Sequence, residues 1–262
     1  MAATSALQPV REKGWRSGFA NLLSKENGAW WRTRRWLVQT IIWVAILNGI
    51  LATILFAEGV ADPPSEGASL FMILSLAVLP MGVIIIAQEA IIDEKRSGTA
   101  AWVLSKPVSR AAFILSKLIA HGLGLLVTGV VIPGTIAFIL LSAAGGSIAP
   151  GDFVAALGIA FLNVLFYLTL TLMLGTLFDG RGAVIGIPMA FLFSYQIFVG
   201  LAPWLADITP WGFLVGAGSP VTPIAQVALG QGALPLAPIL ATALWCVLFM
   251  SVALWRFARE EF

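Results

Sequence analysis

Long apolar runs separated by short polar segments set the pattern of this sequence. A helix rises about 1.5 Å per residue, so about 20 apolar residues are needed to cross the roughly 30 Å hydrocarbon core of a bilayer. Six runs reach this length, and the pattern therefore predicts six transmembrane helices. We expect these spans near residues 36–57, 69–92, 118–141, 153–178, 183–201 and 236–255.

The lysine and arginine residues collect in alternate connections between the predicted spans. Seven of the 15 precede the first span, and the other eight lie at 95–117, at Arg181 and after the last span. The connections at 58–68, 142–152 and 202–235 carry none. Because cytoplasmic loops retain Lys and Arg, this alternation predicts that both termini lie in the cytoplasm.

Composition agrees with a polytopic membrane protein of the all-α class. Hydrophobic residues make up 59% of the chain and charged residues 11%, and the mean hydropathy is +0.95, values outside the range of soluble domains. The net charge of +2 does not point to a nucleic-acid partner. The single cysteine, Cys246, excludes an intrachain disulfide and a cysteine-based metal cluster.

The segment before the first span has its own pattern. Between Trp15 and Arg35, apolar residues recur at helical spacing with basic residues between them, which predicts an amphipathic helix in the cytoplasmic interface. A basic flank that only anchors the first span is the alternative. We therefore divide the chain into a cytoplasmic N-terminus at 1–35 and a six-span transmembrane domain at 36–262.

The connection at 202–235 is long, apolar and rich in Pro and Gly. Thr209-Pro210 and Thr222-Pro223 each place an N-cap residue before a proline in the first helical position. These pairs predict two short helices, near 210–217 and 223–229. Both are too short to span a bilayer, so we expect re-entrant helices that cap the outer end of the bundle.

The most informative stretch is 88–117, which follows the second span and reads QEAIIDEKRSGTAAWVLSKPVSRAAFILSK. An acidic cluster leads to a turn around Gly98, and a short apolar piece follows at 100–104. Pro107 fits the first turn of a new helix that carries Arg110 and Lys117 into the third span. This predicts a mostly helical cytoplasmic loop with an apolar patch, which suits a protein partner.

Through the residues of this segment, the chain resembles the permease subunits of type-two ABC exporters. Within that family it is similar to the branch of the permease of copper-enzyme maturation (Nos-type) ABC transporters. The interfacial helix, the six spans and the long outer segment agree with that architecture. The resemblance rests on the order and spacing of Glu89, Glu94, Gly98, Thr99, Leu104, Pro107, Arg110 and Lys117.

The resemblance implies partners and roles. In that family the N-terminal helix and the loop after the second span contact a separate ATPase subunit, and the loop acts as a coupling helix. Two permeases, identical or different, pair through spans one, two and five and work with two ATPase subunits. The implied ATPase-coupling residues are Glu94, Gly98, Thr99, Leu104, Pro107 and Arg110, and the implied outer gate includes Trp204, Trp211, Pro220 and Pro223.

The chain has no glycine-rich phosphate loop ending in Lys-Ser or Lys-Thr. We therefore expect it to be no enzyme itself, with no catalytic or metal-ligating residues, and we expect ATP and Mg to bind the partner ATPase. The implied location is the bacterial cytoplasmic membrane. Span centres almost free of charge favour an amphipathic or hydrophobic cargo.

The sequence leaves some alternative roles and functions open and disfavours others. Glu89 is either paired with Arg110 or Lys117 or is a solvated interfacial acid. An intramembrane enzyme would need a catalytic set that the sequence lacks, and a self-contained secondary transporter would place ionisable residues along a route. A non-transporting scaffold or assembly factor that works with an ABC ATPase fits the same residues.

Overall fold

A computed structural model describes residues 14–58, 60, 62–215 and 221–260. All regular structure in this part of the chain is helical, which confirms the predicted all-α class. Short 3₁₀ turns lie at Gly14–Arg16 and Pro210–Phe213. In chain order the helices are α1 (Phe19–Trp31), α2 (Arg35–Leu55), α3 (Pro63–Arg96), α4 (Thr99–Leu104), α5 (Arg110–Ala143), α6 (Pro150–Leu177), α7 (Arg181–Phe193), α8 (Tyr195–Leu201), α9 (Leu205–Ile208), α10 (Pro223–Ala228) and α11 (Leu236–Ala258).

Five of the described helices, α2, α3, α5, α6 and α11, are long and apolar enough to cross a membrane. The pair α7 and α8 passes the same test together but is bent by 54° at Ser194, so the count is six if the pair forms one span. The predicted fifth span, 183–201, thus consists of two helices and not one. The bend brings the rings of Phe191 and Phe198, one on each side of the break, against the same indole, that of Trp211.

The ends of the long helices extend beyond the predicted apolar runs because polar residues continue them. Helix α3 begins six residues before the predicted start at 69, with Pro63 in its first turn and the Asp62 carboxylate accepting from the Ser65 N–H at 3.4 Å. Its last turn carries Lys95 and Arg96, which suit the negative end of the helix dipole. Hydropathy reports the apolar centre of a span and not its charged ends.

Helix α6 is the centre of the bundle, with α3 and α11 packed along most of its length and α5 and α10 also in contact. A polar bond joins two of these helices, since the Asn163 amide on α6 donates to the Leu76 carbonyl on α3 at 3.0 Å. Helices α2 and α5 each contain one π-helical turn, at Val44–Asn48 and Leu126–Val131. Such turns widen a helix locally and leave backbone groups outside the regular ladder.

The outer connection contains both short helical pieces that the sequence predicts, as the 3₁₀ turn at Pro210–Phe213 and as α10. Thr209 and Thr222 occupy the N-cap positions, but neither side chain caps its helix, so that part of the prediction is wrong. The Thr209 hydroxyl instead donates to the Leu205 carbonyl at 2.6 Å, back into α9. Proline at the first position is sufficient to start both pieces.

Candidate functional site

Helix α4 stands between α3 and α5 at the end of the bundle where the lysines and arginines collect, called here the basic end. Gly98 adopts a left-handed backbone with φ of +71° and reverses the chain at the N-cap of α4. Ala100 and Val103 bury one face of the helix. The opposite face presents Trp102, which is 65% exposed, and the Lys106 ammonium lies 5.1 Å from the centre of that indole ring.

The loop after α4 is bound to the segment that leads into α1. The Ser109 N–H donates to the Ser17 carbonyl at 2.9 Å, and the Ser17 hydroxyl donates to the Pro107 carbonyl at 3.2 Å. Gly18, with φ of +74°, lies so close to Val108 that a Cβ at this glycine would meet the valine side chain at 2.7 Å. The start of α1 and the loop after α4 are therefore held as one body.

A cleft of about 330 Å³ lies between these two elements. Gly18, Asn21 and Lys25 line its α1 side, and Trp102 and Lys106 line the side of α4 and the loop that follows it. We call the exposed faces around this cleft the α1–α4 surface. It combines a large exposed aromatic ring with the exposed ammonium of Lys106, and tryptophan is among the residues enriched in protein interfaces.

Beneath this surface lies a compact cluster of four charges, two lysines and two glutamates. The Lys117 ammonium is 3.1 Å from Glu26 Oε1 and 3.0 Å from Glu94 Oε2, and the Lys25 ammonium is 2.8 Å from Glu94 Oε1. The Lys117 side chain is only 2% exposed. Because a buried ion must be paired to offset its desolvation, this cluster fixes α1 against α3 and α5.

The charges in the cluster act on one another's protonation. Desolvation by burial raises the pKa of Glu26, but the charge and hydrogen bond of Lys117, aided by Lys25, outweigh it and lower that pKa overall. Burial likewise opposes the charged form of Lys25, and the paired carboxylates of Glu94 and Glu26 raise its pKa above the ordinary value. Both shifts favour the charged forms of Glu26 and Lys25.

A second set of contacts ties the ends of other helices together at the basic end. Lys95 pairs with Asp179 at 2.7 Å and with Glu260 at 2.5 Å. The hydrogen bond from Lys95 lowers the pKa of Asp179. The Arg110 guanidinium donates to the carbonyl of Ala258 at 2.7 Å, at the C-terminal end of α11, where a cation also meets the helix dipole.

The sequence-predicted coupling residues fall into two groups. Gly98 and Pro107 are exposed beside Trp102, and they stay predicted contacts for a partner. The others lie inward or hold the structure: Glu94 in the four-charge cluster, Thr99 hydrogen-bonded to Ser97, Leu104 against the hydrophobic core, and Arg110 on the end of α11.

The prediction that Pro107 lies in the first turn of the next helix is wrong. Helix α5 begins at Arg110, and Ser109 is its N-cap, with the hydroxyl accepting from the Ala112 N–H at 2.9 Å. A serine side chain that satisfies an unpaired N–H starts a helix better than a proline that only lacks one. Pro107 lies in the loop and accepts the Ser17 hydroxyl bond.

The structure does not pair Glu89 with either predicted cation. Glu89 is exposed on α3, Lys117 pairs with Glu26 and Glu94, and Arg110 bonds backbone carbonyls of α11. The solvated alternative for Glu89 therefore fits the geometry.

The predicted outer-gate residues are not gathered with the α1–α4 surface but lie toward the opposite end of the bundle. Trp211 is buried and stacks on Phe191 with ring centres 4.4 Å apart. Trp204 is 60% exposed, and Pro223 begins α10. Pro220 lies outside the described residues.

Sequence reasoning missed Trp102 as a site residue, although a signal was present. Within the apolar piece 100–104, Ala100 and Val103 are three positions apart and share a helix face, which leaves Trp102 on the opposite one. The Ser17 and Ser109 contact had no comparable signal, because those residues are far apart in the chain.

Comparison with known proteins agrees with a permease-like chain. The family model described as "Protein of unknown function (DUF2705)" matches residues 36–262. The chain is also 25% identical over 253 residues to "Probable ABC transporter permease protein NosY" of Pseudomonas aeruginosa, a match that covers 84% of this chain and 87% of that protein. The similarity supports a distant relationship to ABC transporter permeases, and with it a partner ATPase in general terms.

Proposed function

The chain belongs to the DUF2705 family, and from that premise and its similarity to an ABC transporter permease we propose that it is the transmembrane permease subunit of an ATP-driven ABC exporter. The observation that carries the proposal is the α1–α4 surface. In a chain similar to an ABC permease, it offers an exposed aromatic ring and a cleft at the basic end. A separate ATPase subunit docks there, and ATP and Mg bind to that subunit.

The composition of the surface supports this partner. Trp102 is a large, rigid side chain that is 65% exposed, and tryptophan is enriched among the anchors of protein interfaces. Lys106 is exposed beside Trp102, whereas the Lys25 ammonium is already paired with Glu94, so an ATPase segment with an apolar side chain next to an acidic residue fits the cleft. Gly98 and Pro107 contact the same partner at its edge.

The bonds behind the surface support coupling to the membrane helices. Ser17 and Ser109 join α1 to the loop that starts α5, and Lys117 joins α1 to both α3 and α5. A force on α4 therefore reaches two long helices through rigid ionic and hydrogen-bonded contacts. When ATP draws two ATPase subunits together, α1, α4 and the basic ends of α3 and α5 move as one body.

The proposal includes six spans, with α7 and α8 as a broken fifth, and cytoplasmic termini in a bacterial cytoplasmic membrane. Two permeases, identical or different, pair with two ATPase subunits. Exposed apolar side chains on α2 and α8, such as Ile41 and Leu201, form the surface that contacts the second permease. Apolar span interiors favour an amphipathic or hydrophobic cargo.

Reconstitution tests the proposal directly. Proteoliposomes containing this chain and its ABC ATPase are expected to show ATP-dependent movement of a fluorescent short-chain phospholipid or an amphipathic dye. Trp102→Ala is expected to lower both the flux and the amount of ATPase that co-purifies. Co-purification that survives Trp102→Ala and Lys106→Ala together contradicts the docking surface. A stable complex without ATP-dependent flux of either probe contradicts the exporter.

A further inference from the structure

A second cleft, which shares no lining residue with the one at the α1–α4 surface, lies on the side of the bundle where α5 and α11 flank α6. It has a volume of about 480 Å³ and opens outward between those two helices. Leu118 and Gly122 of α5 form one wall, Cys246 and Leu254 of α11 the other, and Leu165 and Thr169 of α6 the floor. We propose that this cleft binds one acyl chain of a membrane phospholipid, in the leaflet at the basic end. The inference does not depend on the proposed transport function.

The chemistry of the walls favours a hydrocarbon occupant. Most lining side chains are apolar, and the hydroxyls among them are bonded within their own helices. The Thr169 hydroxyl donates to the Leu165 carbonyl and the Ser251 hydroxyl to the Val247 carbonyl, each at 2.8 Å. The walls therefore have few hydrogen-bonding groups for a polar ligand, whereas an alkyl chain needs none.

The position and direction of the cleft also fit a lipid chain. Helices α5, α6 and α11 are all apolar enough to span a membrane, so hydrocarbon is the medium outside the opening. From Leu254 to Cys246 the wall follows about 12 Å of helix. The cleft therefore runs along the helix axes, as lipid chains do. Close dispersion contacts, not exclusion of water, are the source of affinity at such a place.

Positive charge stands at the end of the cleft where a head group would lie. Arg110 bridges from α5 to the Ala258 carbonyl, one helical turn beyond Leu254. The Arg259 guanidinium lies 4.3 Å from the ring centre of Trp255, which is 55% exposed. Tryptophan and arginine together are typical of the membrane–water boundary, and arginine favours phosphate. This places a phosphate near Arg110 when the acyl chain lies in the cleft.

Photolabelling tests the site. Purified chain in nanodiscs is irradiated with phosphatidylglycerol that carries a diazirine on one acyl chain, and the labelled peptides are mapped. Labelling is expected to concentrate in segments 118–123 and 246–254, and a diacylglycerol probe with the same tail is expected to label them less. Labelling spread evenly over the lipid-facing helices overturns the site, and equal labelling by the two probes overturns the role of Arg110.

A glycine pair supplies the matched variants. A Cβ at Gly122 would lie 3.7 Å from Leu165, so Gly122→Leu fills the cleft, whereas Gly158 of α6 is exposed with nothing within 4 Å. Gly122→Leu is expected to lower labelling of the two segments about tenfold, equivalent to about 1.4 kcal/mol, and Gly158→Leu to leave it unchanged. Equal effects of the two variants contradict the proposal.

The wild-type chain gives an independent measurement because Cys246 is its only thiol. Adding phosphatidylglycerol to delipidated protein in detergent is expected to slow alkylation of Cys246 by N-ethylmaleimide, since the acyl chain covers that wall. An alkylation rate that does not change with phosphatidylglycerol overturns the site without requiring any variant to fold.

Discussion

Lys117 Nζ lies 3.1 Å from Glu26 Oε1, although the two residues are 91 positions apart in the chain. Their side chains are 2% and 11% exposed, respectively. This ion pair connects the helix that precedes the first span to the helix that forms the third one. Removal of one partner from such a pair leaves an uncompensated charge in a buried place.

Lys117→Met is therefore expected to destabilise the protein by about 3–5 kcal/mol, because Glu26 and Glu94 lose their shared cation. Thermal unfolding in detergent, followed by tryptophan fluorescence, measures the change. Lys106→Met removes an exposed lysine at the same end and is expected to stay within about 0.5 kcal/mol of wild type. Adding Glu26→Gln to Lys117→Met is expected to restore part of the loss. Equal stability of the two lysine variants would show that the cluster is not structural.

The same cluster gives a pH dependence whose sign follows from Glu26. Its pKa is lowered in the folded protein from the ordinary value of 4.5, so its contribution to stability is fully present above pH 4.5. That contribution is lost as the pH falls through the lower folded value. Below pH 4.5, the thermal unfolding midpoint of wild type is expected to fall more steeply with decreasing pH than that of Glu26→Gln. Parallel curves for the two proteins would contradict the assignment.

Gly124 provides a packing test next to the same helix. A Cβ at this position would lie 2.5 Å from the Trp30 indole, which is buried between α1 and α5. Gly124→Ala is expected to cost about 1–3 kcal/mol through overpacking. Gly49→Ala, on an exposed face of α2 with nothing within 4 Å, is the matched control and is expected to be neutral or stabilising. A thermal unfolding scan of both variants decides whether α1 packs as closely as the structure has it.

Trp102 is the residue on which we expect partner affinity to depend most. Trp102→Ala is expected to weaken the complex with the ABC ATPase by about 2 kcal/mol, or about 30-fold, as for an interface anchor. Titration of the labelled ATPase into nanodiscs containing the chain measures this. Trp204→Ala removes a similarly exposed indole, 60% against 65%, at the other end of the bundle and is expected to leave the affinity unchanged.

Much of the helical framework was predictable from the apolar pattern, and what that pattern missed depends on polar caps or on residues distant in the chain. The apolar centre of α3 was readable, but its start at Pro63 depends on the Asp62 cap. The break at Ser194 has no Pro or Gly beside it, and rings on both of its sides stack on Trp211, which lies in another segment. A hydropathy pattern carries no information on that stacking.

The candidate site divides in the same way. The family resemblance implied a coupling element in loop 97–110, but Trp102 was missed, although the helical spacing of Ala100 and Val103 leaves it on the opposite face. The partner of Lys117 could not be predicted. Glu89 is nearer to Lys117 in the sequence, whereas Glu26 comes close to it only in the folded chain. The sequence offers Pro107 and Ser109 as residues that could start α5. The helix starts after Ser109 because its side chain forms a capping hydrogen bond.

Site-specific cross-linking at position 102 tests the docking claim most directly. Replacement of Trp102 by p-benzoylphenylalanine keeps a large aromatic ring on α4, and the membranes that contain this variant and the ABC ATPase are irradiated. A covalent adduct with the ATPase is expected from this variant and not from the same replacement of Trp204. An adduct from position 204, or none from position 102 while the complex still co-purifies, would contradict docking at the α1–α4 surface.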